Sequence, residues 1–441
     1  MSAARHLPQN PPVTYVAYPS FLHPQSHPER LATLATLHGL SPAPPERCRV
    51  LELGCNDGTN LLPAALTFPE SVFVGIDLDE DAVVRGVARA RALGVDNLEL
   101  RKADLLDEPL DGPPFDYVVA HGFYSWVPKP VRDQALAFCR GRLAPHGVAY
   151  FSYNSYPGGH IRGMIREMLL FHVGGIDDPA ARVAQSKALL KFISSSPNAP
   201  DSYRALLEAE LVQMAQYDDG AILFDELAPY NDPVLFSDFA KHAAGYGLQF
   251  LSEANFYEMR LSRFEPEVQE TLRQLGEDVV RREQYLDFLT CRRFRQTLLC
   301  REGLTLDRAV SPRILTKLHL YSTAKVVTEE PDLAGPSMVE FEGARDAGVT
   351  TDHPLTKAAL SVLGSIFPAR LTFEELVEVA HARLGSSKPP AREDVGYLLN
   401  LLFAALEAGL LEVSVVPSGV TLAPALTRIA ALAEPNAGPA A

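Results

Sequence analysis

Glu52, Asp77 and Asp104, together with the glycine-bearing turn that follows Glu52, are residues of this 441-residue chain whose types and spacing could do chemistry. In residues 49–58, Arg-Val-Leu-Glu-Leu-Gly-Cys-Asn-Asp-Gly, an apolar run breaks into a turn where Gly54 and Gly58 allow tight geometry and close backbone approach. Cys55 and Asn56 lie between them, and asparagine tolerates a left-handed backbone better than most residues. Roughly twenty residues later a second apolar run ends in Asp77-Leu78, where a carboxylate can accept hydrogen bonds from two ribose hydroxyls. A third run ends in Ala103-Asp104, whose carboxylate could accept from an adenine amino group. Each acid alone also reads as a helix cap or turn residue. Their order, each at the end of a predicted strand, points to a nucleoside cofactor. The spacing Gly54-x-x-x-Gly58 departs from Gly-x-Gly-x-x-Gly and disfavours a pyrophosphate binder.

This pattern, Glu52-x-Gly54 and then an acid after each of the next two strands, resembles class I S-adenosylmethionine (SAM) dependent methyltransferases. The resemblance implies SAM as methyl donor and S-adenosylhomocysteine as product. It also places the acceptor above the fourth strand, where His121-Gly-Phe-Tyr-Ser-Trp-Val-Pro128 carries the chain's single tryptophan. Methyl transfer is an in-line displacement on an activated methyl group, so alignment and, for an amine, loss of a proton suffice. Tyr124 and Trp126 could form an aromatic wall for a cationic centre, with ordinary loop packing as the competing reading. Asn154 and Tyr156, after the fifth strand, could hydrogen-bond an amine. His121 could act as a base or meet the cofactor, but a histidine leaving a buried strand is more often a satisfied hydrogen-bonding partner. The Asn-Pro-Pro-Tyr motif of one group of amine methyltransferases is missing here, and Asn10-Pro11-Pro12 in the N-terminal arm is read as coincidence.

The elements that must position these groups alternate. Strands are expected at 49–54, 72–78, 98–103, 115–121 and 147–154, with helices from about residue 60, at 80–92 and at 130–142. Such alternation means a parallel sheet covered on both faces. Gly158-Gly159 breaks the pattern, and the insert 160–221 reads as helical. A helix at 282–290 lies between strands 248–251 and 294–300, which close the sheet as its antiparallel end. Residues 1–47 read as an arm whose Tyr15 and Tyr18 form a lid over the cofactor. His23 and His27 superficially suggest a metal pair, but Pro24 and Pro28 oppose the helix such spacing needs, so no metal site is expected. Residues 301–353 read as a connector containing a strand-like stretch at 314–327. Helices at 356–366, 372–384 and 393–407, followed by β segments at 409–413 and 419–422, predict a winged-helix unit over 354–430. Its third helix carries leucines and Glu393-Asp394 rather than basic residues, so docking is expected instead of DNA reading.

Three longer phrases extend the resemblance: Tyr18-Pro19 with His27-Pro-Glu-Arg-Leu31, Ser152-Tyr-Asn-Ser-Tyr-Pro-Gly158, and Arg282-Glu-Gln-Tyr-Leu-Asp-Phe-Leu289 with Arg293-Phe-Arg-Gln-Thr-Leu-Leu-Cys300. They resemble bacterial methyltransferases with a methyltransferase regulatory domain and a C-terminal winged-helix region, among them the rickettsial-type outer-membrane-protein lysine methyltransferases. The resemblance implies a seven-stranded Rossmann-like sheet formed by 48–159 and 222–300, a helical insert serving dimerisation or substrate contact, and methylation of protein lysines. One departure is Phe224 in Leu223-Phe-Asp-Glu-Leu-Ala-Pro-Tyr230, where a polar His-Asp pair would be expected. A small-molecule methyltransferase and a SAM-sensing binding protein are the alternative readings.

A net charge of −15 argues against a nucleic-acid partner, since phosphate neutralisation needs clustered Lys and Arg. The scattered cysteines Cys48, Cys55, Cys139, Cys291 and Cys300 form no Cys-x-x-Cys pair, so a reduced cytoplasm is the default. No apolar run is long enough to span a membrane.

Overall fold

The computed structural model describes residues 18–107, 112–196, 198, 200–276, 278–344, 347–385 and 388–418. Tyr15, Asn10-Pro11-Pro12 and the segment 419–422 lie outside these residues.

The expected alternation is present. After α1 (Pro28–Leu37) come β1 (Arg49–Leu53), α2 (Leu62–Thr67), β2 (Val72–Asp77), α3 (Glu80–Ala92), β3 (Leu98–Lys102), β4 (Phe115–Ala120), α4 (Lys129–Arg142) and β5 (Leu143–Asn154). Three longer helices follow, α5 (Gly158–Val173), α6 (Pro179–Ser194) and α7 (Asp201–Met214), with the one-turn α8 (Asp219–Ala221) running into a π-helical turn, Ile222–Glu226. Then α9 (Phe236–Ala244), β6 (Leu248–Glu253), α10 (Pro266–Leu275), α11 (Val279–Thr290) and β7 (Phe294–Arg301) complete the sheet. Its order is β3-β2-β1-β4-β5-β7-β6, seven strands, with β7 antiparallel to both neighbours. The chain leaves β1 towards β2 on one side and later returns to pair β4 on the other. The carboxyl ends of β1 and β4 therefore flank a topological switch point, the crevice where open α/β sheets bind ligands.

The burial of β1 on both faces follows from its composition. Leu51 and Leu53 pack with Val118, Ala120 and Phe151 on one side, and Val50 packs with Phe73, Tyr117 and Tyr150 on the other. The second core continues through Leu31, Leu34 and Leu37 of α1 into the C-terminal unit. Residues 160–221 are helical as expected and, with the π-helical turn, own a separate core built on Leu169, Leu190, Leu207 and Ile222. Gly158 and Gly159, where the alternation ends, begin α5. A Cβ at Gly158 would stand 2.5 Å from the Cys291 carbonyl oxygen, so only glycine lets α5 start against β7's approach.

Two expectations need correction. Residues 301–353, expected as a connector with one strand-like stretch, contain four strands, β8 (His319–Ser322), β9 (Lys325–Val326), β10 (Val339–Glu342) and β11 (Gly348–Thr351), among the described residues. The stretch 314–327 is not one strand. It is a 3₁₀ turn (Pro312–Lys317), then β8 and β9, because the Ser322 Oγ accepts the Ala324 amide and turns the chain past Gly364. β8 sits between β12 (Leu371–Thr372) and β13 (Leu411–Ser414), so a strand from the supposed connector is central in the C-terminal sheet. Around it pack α12 (Pro354–Ile366), α13 (Phe373–Arg383) and α14 (Arg392–Ala408), whose Leu398, Leu402, Phe403 and Leu406 are buried.

A buried ion cluster fixes the sheet's antiparallel end. Arg295 of β7 is fully buried and meets Glu253 of β6 at 2.6 Å, and Asp287 and Glu283 of α11 at 2.8 and 3.3 Å. Truncating it would leave carboxylates buried without their partner. Arg295→Met is expected to destabilise the fold by about 3–5 kcal/mol in urea denaturation.

Candidate active site

The turn after β1 adopts the conformation its residue types permit, with φ of +72° at Gly54, +50° at Asn56 and +71° at Gly58. Its amides are already used: those of Gly54 and Cys55 donate to the Ile76 carbonyl, that of Asn56 to Asp77 Oδ2 at 2.7 Å, and that of Gly58 to the Cys55 carbonyl. The loop therefore offers no amide nest for a pyrophosphate. It presents carboxylates instead, which suits hydroxyl and amino donors of a nucleoside. Asp77 also accepts from the Asp79 amide at 2.9 Å, and beside it Leu78 is 60% exposed, an open apolar face. The Ala103 amide donates to the Asp77 carbonyl, and Asp104 Oδ1 holds the Leu106 amide at 2.9 Å.

Glu52 is buried at the base of this loop. Asn60 Nδ2 donates to its Oε1 at 2.7 Å, while its Oε2 has no partner among the described residues. Burial pushes the Glu52 carboxyl up to about 8, a shift opposed by the Asn60 hydrogen bond. Asn60 also accepts the His23 amide and donates to Ser26 Oγ, tying the N-terminal arm to β1. An unpartnered, desolvated carboxyl oxygen beneath a loop of fixed amides, able to donate while protonated and to accept once ionised, fits a cofactor with amino and hydroxyl groups. Cys55 does not contribute a side chain: its thiol packs underneath with Val83 and Leu100, 2.7 Å from where a Gly75 Cβ would lie. Only its backbone borders the cradle.

The arm covers the loop through Tyr18, whose carbonyl accepts Asn56 Nδ2 at 3.3 Å. The Tyr18 ring meets Phe224 edge-on, and its hydroxyl points at Asp225 Oδ1, 3.4 Å away. His23 stacks on His121 with ring centroids 3.4 Å apart, and His121 Nδ1 bonds the Tyr150 hydroxyl at 2.9 Å. Burial lowers His23 to about 4 and holds His121 well below the usual histidine range, so this pair is neutral and structural. His27 accepts the Glu29 amide and caps α1.

On the acceptor side the structure separates the residues that sequence grouped together. Tyr124 is a core residue, 3% exposed, packed among Phe151, Tyr153 and Phe239 with its hydroxyl on His242 Nδ1 at 2.8 Å. Its expected place in an aromatic wall is therefore corrected: the 3₁₀ turn Tyr124–Trp126 points this ring inward. Trp126 is half-buried, with the guanidiniums of Arg162 and Arg166 at 5.7 and 6.0 Å from its ring centroid. Asn154 is buried, and its amide is engaged by Asn231 at 3.0 Å and Arg162 at 3.1 Å, so it positions Arg162 rather than an acceptor. Tyr156 stacks on His160 at 4.0 Å between ring centroids.

Sequence reasoning overlooked the polar group that completes this side. Arg162 pairs with Glu226 at 2.7 Å, and Arg166 donates to the carbonyls of Asp225, Glu226 and Ala228. Two arginines one helical turn apart and the adjacent pair Asp225-Glu226 were the available signal. A cavity of about 490 Å³ lies nearby between α1, β1 and the C-terminal unit. It is lined by His23 and Asn60 but by neither Asp77 nor Asp104.

The sheet order, the switch-point loop and its carboxylates define a class I methyltransferase that uses SAM. A methyltransferase domain model matches residues 51–149, and a model described as predicted methyltransferase regulatory domain matches residues 218–301. Protein RP789 of Rickettsia prowazekii is 34% identical over 385 residues, which are 86% of this chain and 69% of RP789. Protein RP028 of the same organism is 36% identical over 229 residues, 52% of this chain and 92% of RP028. The structure of PKMT2 from Rickettsia typhi in complex with AdoHcy superposes with a TM-score of 0.80 at 29% identity, covering 90% of this chain and 77% of that one. The chain belongs to the family these proteins share, methyltransferases with a methyltransferase regulatory domain.

Two measurements check the cofactor side. Asp77→Ala should weaken SAM binding by roughly 1.5–3 kcal/mol in calorimetry, through loss of a charged acceptor and of the Asn56 anchor. Glu52 keeps its proton up to about pH 8 when folded but only to about 4.5 when unfolded. The folded state thus binds the extra proton between these values, and stability falls as pH rises through that window. Glu52→Gln should remove that slope, gaining roughly 1–4 kcal/mol on wild type between pH 5 and pH 9 in ligand-free urea denaturation.

Proposed function

We propose that this methyltransferase modifies the ε-amine of protein lysines. The observation that carries the reading is the likeness to PKMT2 of Rickettsia typhi across 90% of the chain, well beyond the residues 51–149 matched by the methyltransferase domain model. The carboxylates of Asp225 and Glu226 on this side are chemically suited to a cationic chain, whereas the Trp126 ring is already flanked by the guanidiniums of Arg162 and Arg166. Glu52, the turn at Gly54, Asn56 and Gly58, Asp77 and Asp104 would hold the cofactor, with Leu78 against its base and Tyr18 closing the arm over the loop.

Bound SAM supplies a methyl group already activated for displacement. The protein's part is to bind the amine in line with that methyl, exclude water and let the amine's proton leave. Tyr18 and Trp126 narrow the approach to a slender chain, and Asn154 fixes Arg162 so that Glu226 stays paired while a substrate enters. The C-terminal unit is read as a winged-helix docking module, because the leucine face of α14 is spent on packing and its first turn carries Glu393 and Asp394.

The test is incubation of the purified protein with methyl-labelled SAM and a lysate of its own source, followed by hydrolysis of the labelled protein. Label recovered as methyl-lysine is the expected result. Label confined to low-mass compounds would replace this reading with a small-molecule methyltransferase.

A further inference from the structure

We propose that Asp225 is the group that receives the acceptor's ammonium, and that it makes the site selective for a primary alkylammonium over neutral or anionic acceptors. This rests on the lysine reading above. Its position follows from Tyr18, which joins two parts of the crevice: its carbonyl takes the Asn56 side chain of the cofactor loop, and its hydroxyl reaches Asp225 Oδ1 at 3.4 Å. Asp225 is thus one side chain away from the cofactor cradle. It lies on the π-helical turn Ile222–Glu226, an irregularity found frequently at functional sites.

The charges around it are unevenly matched. Arg162 pairs directly with Glu226 and bonds Asn154, while Arg166 spends its guanidinium on main-chain carbonyls. Among the described residues no salt bridge reaches the Asp225 carboxylate. Tyr18 gives it one long hydrogen bond. A carboxylate removed from water without a direct cation is costly, and a docking ammonium is the counter-ion that offsets the cost. Burial raises the Asp225 carboxyl to about 6; Arg162, Arg166 and the Tyr18 hydroxyl pull it down, and Glu226 pushes it up. The group is ionised at neutral pH and becomes neutral just below it.

The test uses n-butylammonium as the probe, titrated into full-length protein saturated with S-adenosylhomocysteine. Asp225→Asn should weaken n-butylammonium at least tenfold at pH 7.5 while leaving S-adenosylhomocysteine affinity within twofold. Wild-type affinity should fall as pH drops through about 6, and the variant should lose that dependence. Equal n-butylammonium affinity in the two proteins, or n-butanol binding as tightly as n-butylammonium, would overturn the proposal. Should Asp225→Asn lose S-adenosylhomocysteine binding and so fold poorly, Tyr18→Phe decides. Loss of its hydroxyl should move the acid limb to higher pH, and an unmoved limb counts against Asp225. The two readings fail differently: n-butylammonium binding indifferent to Asp225 with methyl-lysine still formed defeats this inference alone. Methyl transfer only to small molecules defeats the lysine reading itself.

Discussion

The hydrogen bond from the Asn56 amide to Asp77 is the contact on which the cofactor crevice depends. It joins the loop after β1 to the end of β2, so two strands that are neighbours in the sheet deliver their functional groups as one surface. The loop can make it because three residues accept positive φ within five positions, Gly54, Asn56 and Gly58. Together with the bonds of the Gly54 and Cys55 amides to the Ile76 carbonyl and of the Gly58 amide to the Cys55 carbonyl, it spends amides that a phosphate would need. Cofactor chemistry is therefore selected by which backbone donors the fold has already spent, as much as by which side chains are present.

Two charge clusters, one buried around Arg295 and one half-buried around Asp225, make a useful contrast. Around Arg295 the carboxylates of Glu253, Glu283 and Asp287 converge on one guanidinium at hydrogen-bond distance, and the group locks β6, β7 and α11 together. Around Asp225 the guanidiniums are directed elsewhere, to Glu226, Asn154 and main-chain carbonyls. The first arrangement suits a structural clamp, since every charge meets an opposite one. The second leaves a carboxylate poorly compensated beside the open crevice, which is the signature expected of a binding group.

The arm and the C-terminal unit are coupled to the same crevice through packing. α1 shares a core with β1 and with α12 to α14, while its preceding residues reach Asn60 and His121. Much of this was legible in the sequence: the strand-turn pattern at 49–58, the acids ending β2 and β3, the helical insert and the antiparallel closing strands. The strand assignment at 314–327 missed because a hydroxyl of Ser322 turns the chain, a local competition that hydrophobic runs do not reveal. Tyr124 and Trp126 are two residues apart, but a 3₁₀ turn buries the first ring in the core and leaves the second half-buried against Arg162 and Arg166. Cys55 was placed in the cradle by position, whereas Gly75 leaves room for its thiol beneath the loop.

By itself the sequence determined the fold class and a nucleoside-binding loop, because both rest on short-range features: apolar periodicity, glycine and asparagine where φ turns positive, and an acid where each strand ends; SAM as the particular nucleoside came from the family resemblance. Only the tertiary structure brought together the residues of the proposed acceptor side. Tyr18, Trp126, Arg162 and Asp225 come from the arm, the fourth-strand loop, α5 and the π-helical turn, and no spacing in the chain brings them together. Whether a carboxylate is a clamp or a receptor depends on where neighbouring guanidiniums point, and that direction is fixed by packing between elements far apart in sequence.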